Sequence, residues 1–371
     1  MKRHITKTAL FMCALGCTLQ AFAGNKDRTG QAGAMELLIN PWGQTNGVFG
    51  LNTSYVHGLE AMKSNIAGLA MVQNTEVGLA HSLYLRGSGV TVSDIGIAQK
   101  IGSSGVLGLN IMSMGFGEIN VTTTDNPEGI GTGTYKPQFL TVQVGYAKEF
   151  SNSIRAGLGA TLVSEQISNI HAMGAAFEGG VQYVTGKRDN FHFGVTLRNV
   201  GTNMRFSGQG FAFDATMPGN LQDQQFSGEV PTEKFEMPTY LNFGASYDFY
   251  LDAKHLKSED DLPKHRATVM ANFTSNSFNN DYYGAAVEYS YQERFMVRAG
   301  YRYEKGIGTT DANTFYSGVS AGASIQQAIG ESGPILAIDY AFLPTIRPNN
   351  GVHTFTLRLM TRAKSKKSSE E

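Results

Sequence analysis

From Thr75 onward, apolar and polar residues alternate with a period of two. That is the repeat of a strand whose two faces meet different surroundings. In 295–303, Phe295, Val297, Ala299, Tyr301 and Tyr303 alternate with Met296, Arg298, Gly300 and Arg302. In 353–360, Phe355, Leu357 and Leu359 oppose Thr354, Thr356, Arg358 and Met360, and 141–150 sets Val142, Val144 and Tyr146 against Gln143, Gly145 and Ala147. Turn residues divide the pattern into candidate strands at 76–83, 90–99, 106–114, 138–150, 154–167, 175–185 and 191–199. Seven more follow at 240–249, 266–274, 281–291, 295–303, 314–326, 335–342 and 353–360.

Fourteen is an even number, and most of these segments are long enough to cross a bilayer at a tilt. Short links at 151–153, 186–190 and 292–294 contrast with long ones at 115–137, 200–239 and 304–313. Short turns on one side and long loops on the other are the habit of outer-membrane barrels. The stretch 253–264 is long where a short turn is expected. The pattern predicts an all-β, 14-stranded antiparallel transmembrane outer-membrane β-barrel over 75–360. Arg298, Arg302 and Arg358 should then point into the lumen, and Tyr84, Phe150, Phe249, Tyr250, Tyr291 and Phe342 fall where interfacial girdles would lie. A soluble sandwich with one wet face is the competing architecture.

Residues 24–74 break the alternation. An apolar run at 34–39 stops at Asn40-Pro41, and 58–62 and 66–71 read as short helical turns. A plug or hatch seated in the lumen is expected, with Asn40, Pro41 and the single tryptophan Trp42 as its seating residues. Ahead of it, Lys2, Arg3 and Lys7, a short apolar stretch and Ala21-Phe22-Ala23 read as a signal peptide over 1–23. The stretch 361–371 reads as a polar C-terminal tail.

Composition supports membrane strands over other classes. Charged residues are 16% of the chain against about 25% in an average soluble domain. There are 44 glycines, 22 phenylalanines and 16 tyrosines. Gly96, Gly108, Gly145, Gly157, Gly159, Gly194 and Gly284 fall inside candidate strands, where glycine is costly unless another segment packs closely on it or the strand bends. The formal charge of −1 falls by three on losing Lys2, Arg3 and Lys7, so nothing suggests a nucleic-acid partner. Both cysteines, Cys13 and Cys17, lie in the leader, which leaves no disulfide or thiolate chemistry after its removal.

No constellation carries catalysis, a cofactor or a metal. His57, His81, His171, His192, His255, His265 and His353 have no ligand spacing. Gly102-Ser103-Ser104-Gly105 opens no helix that would cradle phosphate, and no nucleophile elbow is present. Asp125-Asn126-Pro127-Glu128-Gly129 is too short for a calcium cage and reads as a turn. The loop 201–239 carries Phe206, Phe211, Phe213, Phe226 and Phe235. So much apolar surface in an external loop needs a cover, which makes these five partner-binding candidates, with self-packing and a hydrophobic-ligand gate as alternatives.

Several separated blocks carry a family resemblance. They are Ala34-Met35-Glu36-Leu37-Leu38-Ile39-Asn40-Pro41-Trp42, Gly58-Leu59-Glu60-Ala61, Asn65-Ile66-Ala67-Gly68-Leu69-Ala70, Ser113-Met114-Gly115-Phe116-Gly117-Glu118-Ile119, Leu197-Arg198-Asn199-Val200-Gly201 and Met204-Arg205-Phe206-Ser207-Gly208. With these, the chain resembles the PorV/PorQ-like outer-membrane proteins of Bacteroidota, which are related to the FadL long-chain fatty-acid channels. The resemblance spans roughly 30–360 and departs from the family in the leader and the tail. It implies a non-enzymatic component of the type IX secretion system, in some systems coupled to gliding motility. Such a component would dock on the large translocon barrel, receive the C-terminal domains of secreted cargo and hand them to the surface attachment complex, embedded in outer-membrane lipid. A FadL-like transporter of hydrophobic small molecules is the alternative, and it expects an apolar pocket behind 24–74 and a kink or opening in the wall. An accessory barrel for surface assembly is a third reading.

Overall fold

The computed structural model describes residues 26–85, 87–218, 224–252, 264–309, 314–330, 333–346 and 350–361. The leader, most of 253–264 and the tail beyond Thr361 lie outside the described residues. Fourteen long strands form one antiparallel sheet: β1 (Thr75–Tyr84), β2 (Thr91–Ile101), β3 (Gly105–Gly115), β4 (Gln138–Ser151), β5 (Ile154–Ile167), β6 (Ile170–Thr185), β7 (Phe191–Gly201), β8 (Tyr240–Tyr250), β9 (His265–Asn276), β10 (Tyr282–Tyr291), β11 (Phe295–Glu304), β12 (Val319–Ala328), β13 (Ile335–Leu343) and β14 (Val352–Met360). Each pairs with its neighbour in sequence, and β1 pairs with β14 from Glu76 opposite Met360 to Tyr84 opposite Val352. The barrel is therefore closed, and none of these fourteen strands is left with an open edge. A two-residue piece, Ser207–Gly208, adds to the loop end of β6.

Two strands begin five residues from where the sequence reading put them, and the other bounds agree within two residues. β6 begins at Ile170 rather than Ala175, because a two-residue turn with Ser168 at φ 55° joins it directly to β5. Alternation survives there, with Ala172 buried and Met173 exposed. β12 begins at Val319, not Thr314, because 315–318 bend away and Tyr316 bridges to Thr345. The ladder is otherwise regular, with two irregularities. One lies at Glu149–Ser151 on β4. The other lies between β6 and β7, where Phe177 faces Val200 but Gly179 faces Leu197. Two residues, Arg198 and Asn199, thus oppose the single Glu178, and Asn199 takes φ 59°. This is a wall bulge.

The outward faces are apolar. Leu158, Leu162, Val144, Val297, Ile338 and Phe355 are all half or more exposed, a burial pattern that suits lipid. The protein is a multi-pass barrel of the outer membrane. The inward faces hold small and charged groups that meet residues 34–72. This inner segment is a string of short turns, Met35–Leu38, Gly43–Gly47, Leu59–Lys63 and Ile66–Met71. Leu51, Leu59, Met62, Ile66 and Leu69 in it are at most 1% exposed.

The wall glycines admit this segment. A β-carbon at Gly78 would stand 2.7 Å from the Trp42 ring, and one at Gly96 2.9 Å from Leu59. At Gly108 it would meet the Met62 sulfur at 2.5 Å, at Gly145 Ile66 at 2.6 Å, and at Gly284 Leu51 at 2.8 Å. All are shorter than a normal carbon contact of about 3.5–4.0 Å. Glycine within these strands costs intrinsic stability, and the cost is offset by the close approach of a second layer.

Candidate functional site

The inner segment is tied to the wall through buried polar groups. Arg358 on β14, 1% exposed, faces Asp339 on β13 at 3.1 Å, Glu76 on β1 at 3.5 Å and Glu60 of the segment at 3.5 Å. Burial pushes the Glu60 carboxyl up to about 7, against the pull of Arg358. Its Oε2 accepts from the Thr45 N–H and hydroxyl at 3.1 and 3.0 Å. The network runs on along the wall through Ser324, which links Asp339 to Arg298; Arg298 donates to Glu288 at 2.5 Å, and Arg266 bridges Glu288 and Glu293. Inside the wall bulge, Arg198 holds Glu178 at 2.7 Å and reaches the Met62 carbonyl at 3.2 Å. A charge stays ionised away from bulk water only when it is paired and hydrogen-bonded in this way.

Asn40, Pro41 and Trp42 sit at the turn into this packed region. The Trp42 N–H donates to the Asn40 side-chain oxygen at 2.9 Å, while the Asn40 amide donates to the Lys63 carbonyl at 3.1 Å. Pro41 is buried, and the Trp42 ring lies fully buried against Gly78. Residues more than 300 positions apart close the same corner: the Gly43 N–H donates to the Thr356 hydroxyl at 2.9 Å, and the Asn46 amide to that of Thr354 at 3.0 Å.

Above this packing, at the long-loop end, lies a cavity of about 730 Å³. Its floor is Met35, Glu36, Leu38 and Ile39 of the inner segment; Met35 and Leu38 are 52% and 43% exposed although the segment runs inside the barrel. Its wall comes from strand ends, including Tyr84, Met114, Phe139 and Tyr240, with Phe116 edge-on to Phe139 at 4.8 Å. These ends all lie on the side of the long loops, so the cavity opens toward the cell exterior. Arg302, expected inward, is half-buried and lines the cavity, its guanidinium 4.1 Å above the Phe49 ring and 4.5 Å from that of Tyr282. Most of the lining is apolar with a few polar groups, the usual make-up of a small-molecule pocket.

Of the five loop phenylalanines, the structure brings two to this cavity. Phe206 and Phe235 pack ring to ring at 5.7 Å, line the cavity and cover Ala34, Leu37, Met204 and Met237. Phe213 and Phe226 pair at 6.4 Å on the hairpin formed by Ala212–Met217 and Gln224–Glu229, both over 40% exposed, and Phe211 is half-buried in the turn before it. The sequence reading missed Glu36, Glu165, Phe116 and Phe139. The available signals were a lone acid inside the apolar run 34–39 and an acid at an inward position of β5.

No family model matches the chain, and no curated protein matches it. Solved structures do. The CymD monoaromatic hydrocarbon channel superposes with a TM-score of 0.53 at 13% identity, covering 88% of this chain and 99% of that one. The toluene transporter TodX of Pseudomonas putida gives 0.52 at 11%, covering 86% and 96%, and its deltaS2S3 mutant gives 0.51 at 12%, covering 86% and 98%. The chain shares the fold of these outer-membrane channels. This likeness corrects the secretion reading: the barrels just named are a monoaromatic hydrocarbon channel and a toluene transporter, not type IX components. The 14-stranded antiparallel barrel expected with that reading stands. Among the described residues no three His, Cys, Asp or Glu converge on a metal site.

Proposed function

We propose that the protein is an outer-membrane transporter for hydrophobic small molecules, which enter from outside through the mouth cavity. The observation that carries this reading is the cavity itself. A space of about 730 Å³ is floored by exposed Met35 and Leu38, walled by Met114, Phe116, Phe139, Phe206 and Phe235, and open toward the exterior. An apolar solute gains about 25 cal/mol for each Å² of surface it removes from water there. Residues 34–72 act as the plug that separates this cavity from the short-turn end, with Asn40, Pro41 and Trp42 as its seat. The fold shared with a monoaromatic hydrocarbon channel and a toluene transporter supports the same class of cargo.

The test is uptake of radiolabelled propylbenzene by proteoliposomes at submicromolar concentration, with and without the barrel. Saturable uptake that requires the protein, and that weakens when Phe139 and Phe235 are changed to Asn, is the expected result. Equal uptake by protein-free vesicles sinks the proposal.

A further inference from the structure

Two acids share the mouth cavity. Glu36 comes from the turn Met35–Leu38 and Glu165 from β5; they are 2% and 4% exposed, and both line the cavity. Neither carboxyl oxygen of Glu36 meets a donor N–H or hydroxyl; the group it reaches is the Glu165 carboxyl. An unpartnered buried carboxylate beside a second carboxylate is costly unless a proton or another cation joins them. The burial and Glu165 together push the Glu36 carboxyl up to about 8. Lys63 pulls the other way, but its ammonium is spoken for: it donates to the Thr141 hydroxyl at 3.2 Å and shares the field of Asp94, Glu178 and Arg198.

The charge balance of the cavity points the same way. Its charged lining is Glu36, Glu165, Glu304 and Arg302: three acids against one base. Arg302 already rests on the faces of Phe49 and Tyr282. The remaining surface offers aromatic rings, which favour a cation over an anion. An acid-headed solute would find no free base here, since Arg302 is already engaged. A solute with a protonated amine would take the place of the proton that joins Glu36 and Glu165 and put its hydrocarbon part against Met114, Phe116 and Phe139.

We propose that Glu36 and Glu165 form a head-group subsite, and that the cavity takes hydrophobic amines in their ammonium form. This rests on the transport reading, and the experiment separates the two. Three probes of one shape are compared on the full-length barrel in proteoliposomes at pH 7 by equilibrium dialysis: phenethylamine, neutral propylbenzene and anionic 3-phenylpropionate. Phenethylamine should bind at least about tenfold more tightly than propylbenzene, as a charge-assisted hydrogen bond allows. Glu36→Gln and Glu165→Gln should each abolish that preference, so that phenethylamine and propylbenzene bind alike. The three-probe ranking on the unaltered protein needs no variant, so it decides the matter even if a variant fails to fold. Equal binding of phenethylamine and propylbenzene, tightest binding of 3-phenylpropionate, or a preference that survives both substitutions overturns the subsite and leaves the transporter standing. Binding of none of the three overturns both.

Discussion

The contact between Trp42 and Gly78 can be tested with a probe that the chain already contains. Trp42 is the single tryptophan, so intrinsic fluorescence reports the inner segment alone. Its ring is fully buried, and a β-carbon at Gly78 would stand 2.7 Å from two of its carbons and 3.0 Å from Leu59. The strand cannot yield, because Gly78 is held on both sides, opposite Gly96 on β2 and Arg358 on β14. The ring must therefore move by about 1 Å to regain a normal contact. Overpacking of this kind costs about 1–3 kcal/mol, and the cost falls on the seat of the segment rather than on the closed ladder. In Gly78→Val, Trp42 emission should shift to longer wavelength and become more accessible to acrylamide, while folded-barrel migration on unheated gels is kept. Leu79→Ala, one residue on and facing lipid, should change neither. Unchanged emission and quenching in Gly78→Val would refute the argument that the wall glycines exist to admit the segment.

Other consequences can be measured in the same way. Arg358→Met leaves Asp339, Glu76 and Glu60 without their common partner and should cost about 3–5 kcal/mol in urea unfolding, since breaking a buried pair strands its remaining charges; recovery of wild-type stability would count against the network. Glu36 and Glu60 bind protons more readily in the folded state, so their contribution is fullest below the ordinary value of 4.5 and is lost as pH rises through about 7 and 8. Acrylamide quenching of Trp42 should therefore increase from pH 5 to pH 9, and Glu36→Gln should flatten the rise. Ser54 and Ser246 place their hydroxyls 3.0 Å apart between the segment and β8. The pair Ser54→Cys and Ser246→Cys should form a disulfide that blocks uptake until reduced; full uptake in the oxidised form would show that the segment need not move. Ile338→Arg, at the middle of β13 and facing lipid, should cost about 2–4 kcal/mol in refolding into vesicles.

Much of the wall was legible in the chain. The alternation placed all fourteen strands because one face meets lipid and the other meets polar or small groups, so each strand carries its orientation in its own residues. The inward aim of Arg298, Arg302 and Arg358 followed from the same rule. The in-strand glycines at 96, 108, 145, 194 and 284 were visible as positions that something must approach. What approaches them was not visible. Met62, Ile66 and Leu51 reach their glycines from positions 46 to 233 residues away in the chain, and no local pattern encodes such distances. Strand ends were less certain at β6 and β12, where two-residue turns and isolated bridges settle the bounds.

The site was the least legible part. The five loop phenylalanines read alike in sequence, yet only Phe206 and Phe235 fold down onto the cavity, while Phe213 and Phe226 stay on a hairpin beyond it. Phe116 and Phe139 flank a long loop and meet only because β3 and β4 pair from Gly115 opposite Gln138. Glu36 and Glu165 share one space because the barrel closes around the segment that carries the first of them. Alternation is a local property, fixed by what each face must touch, and the sequence by itself determined the barrel through it. Which acids, rings and glycines converge depends on the register of fourteen strands and on the path of a segment that forms no strand, and only the tertiary structure decided that.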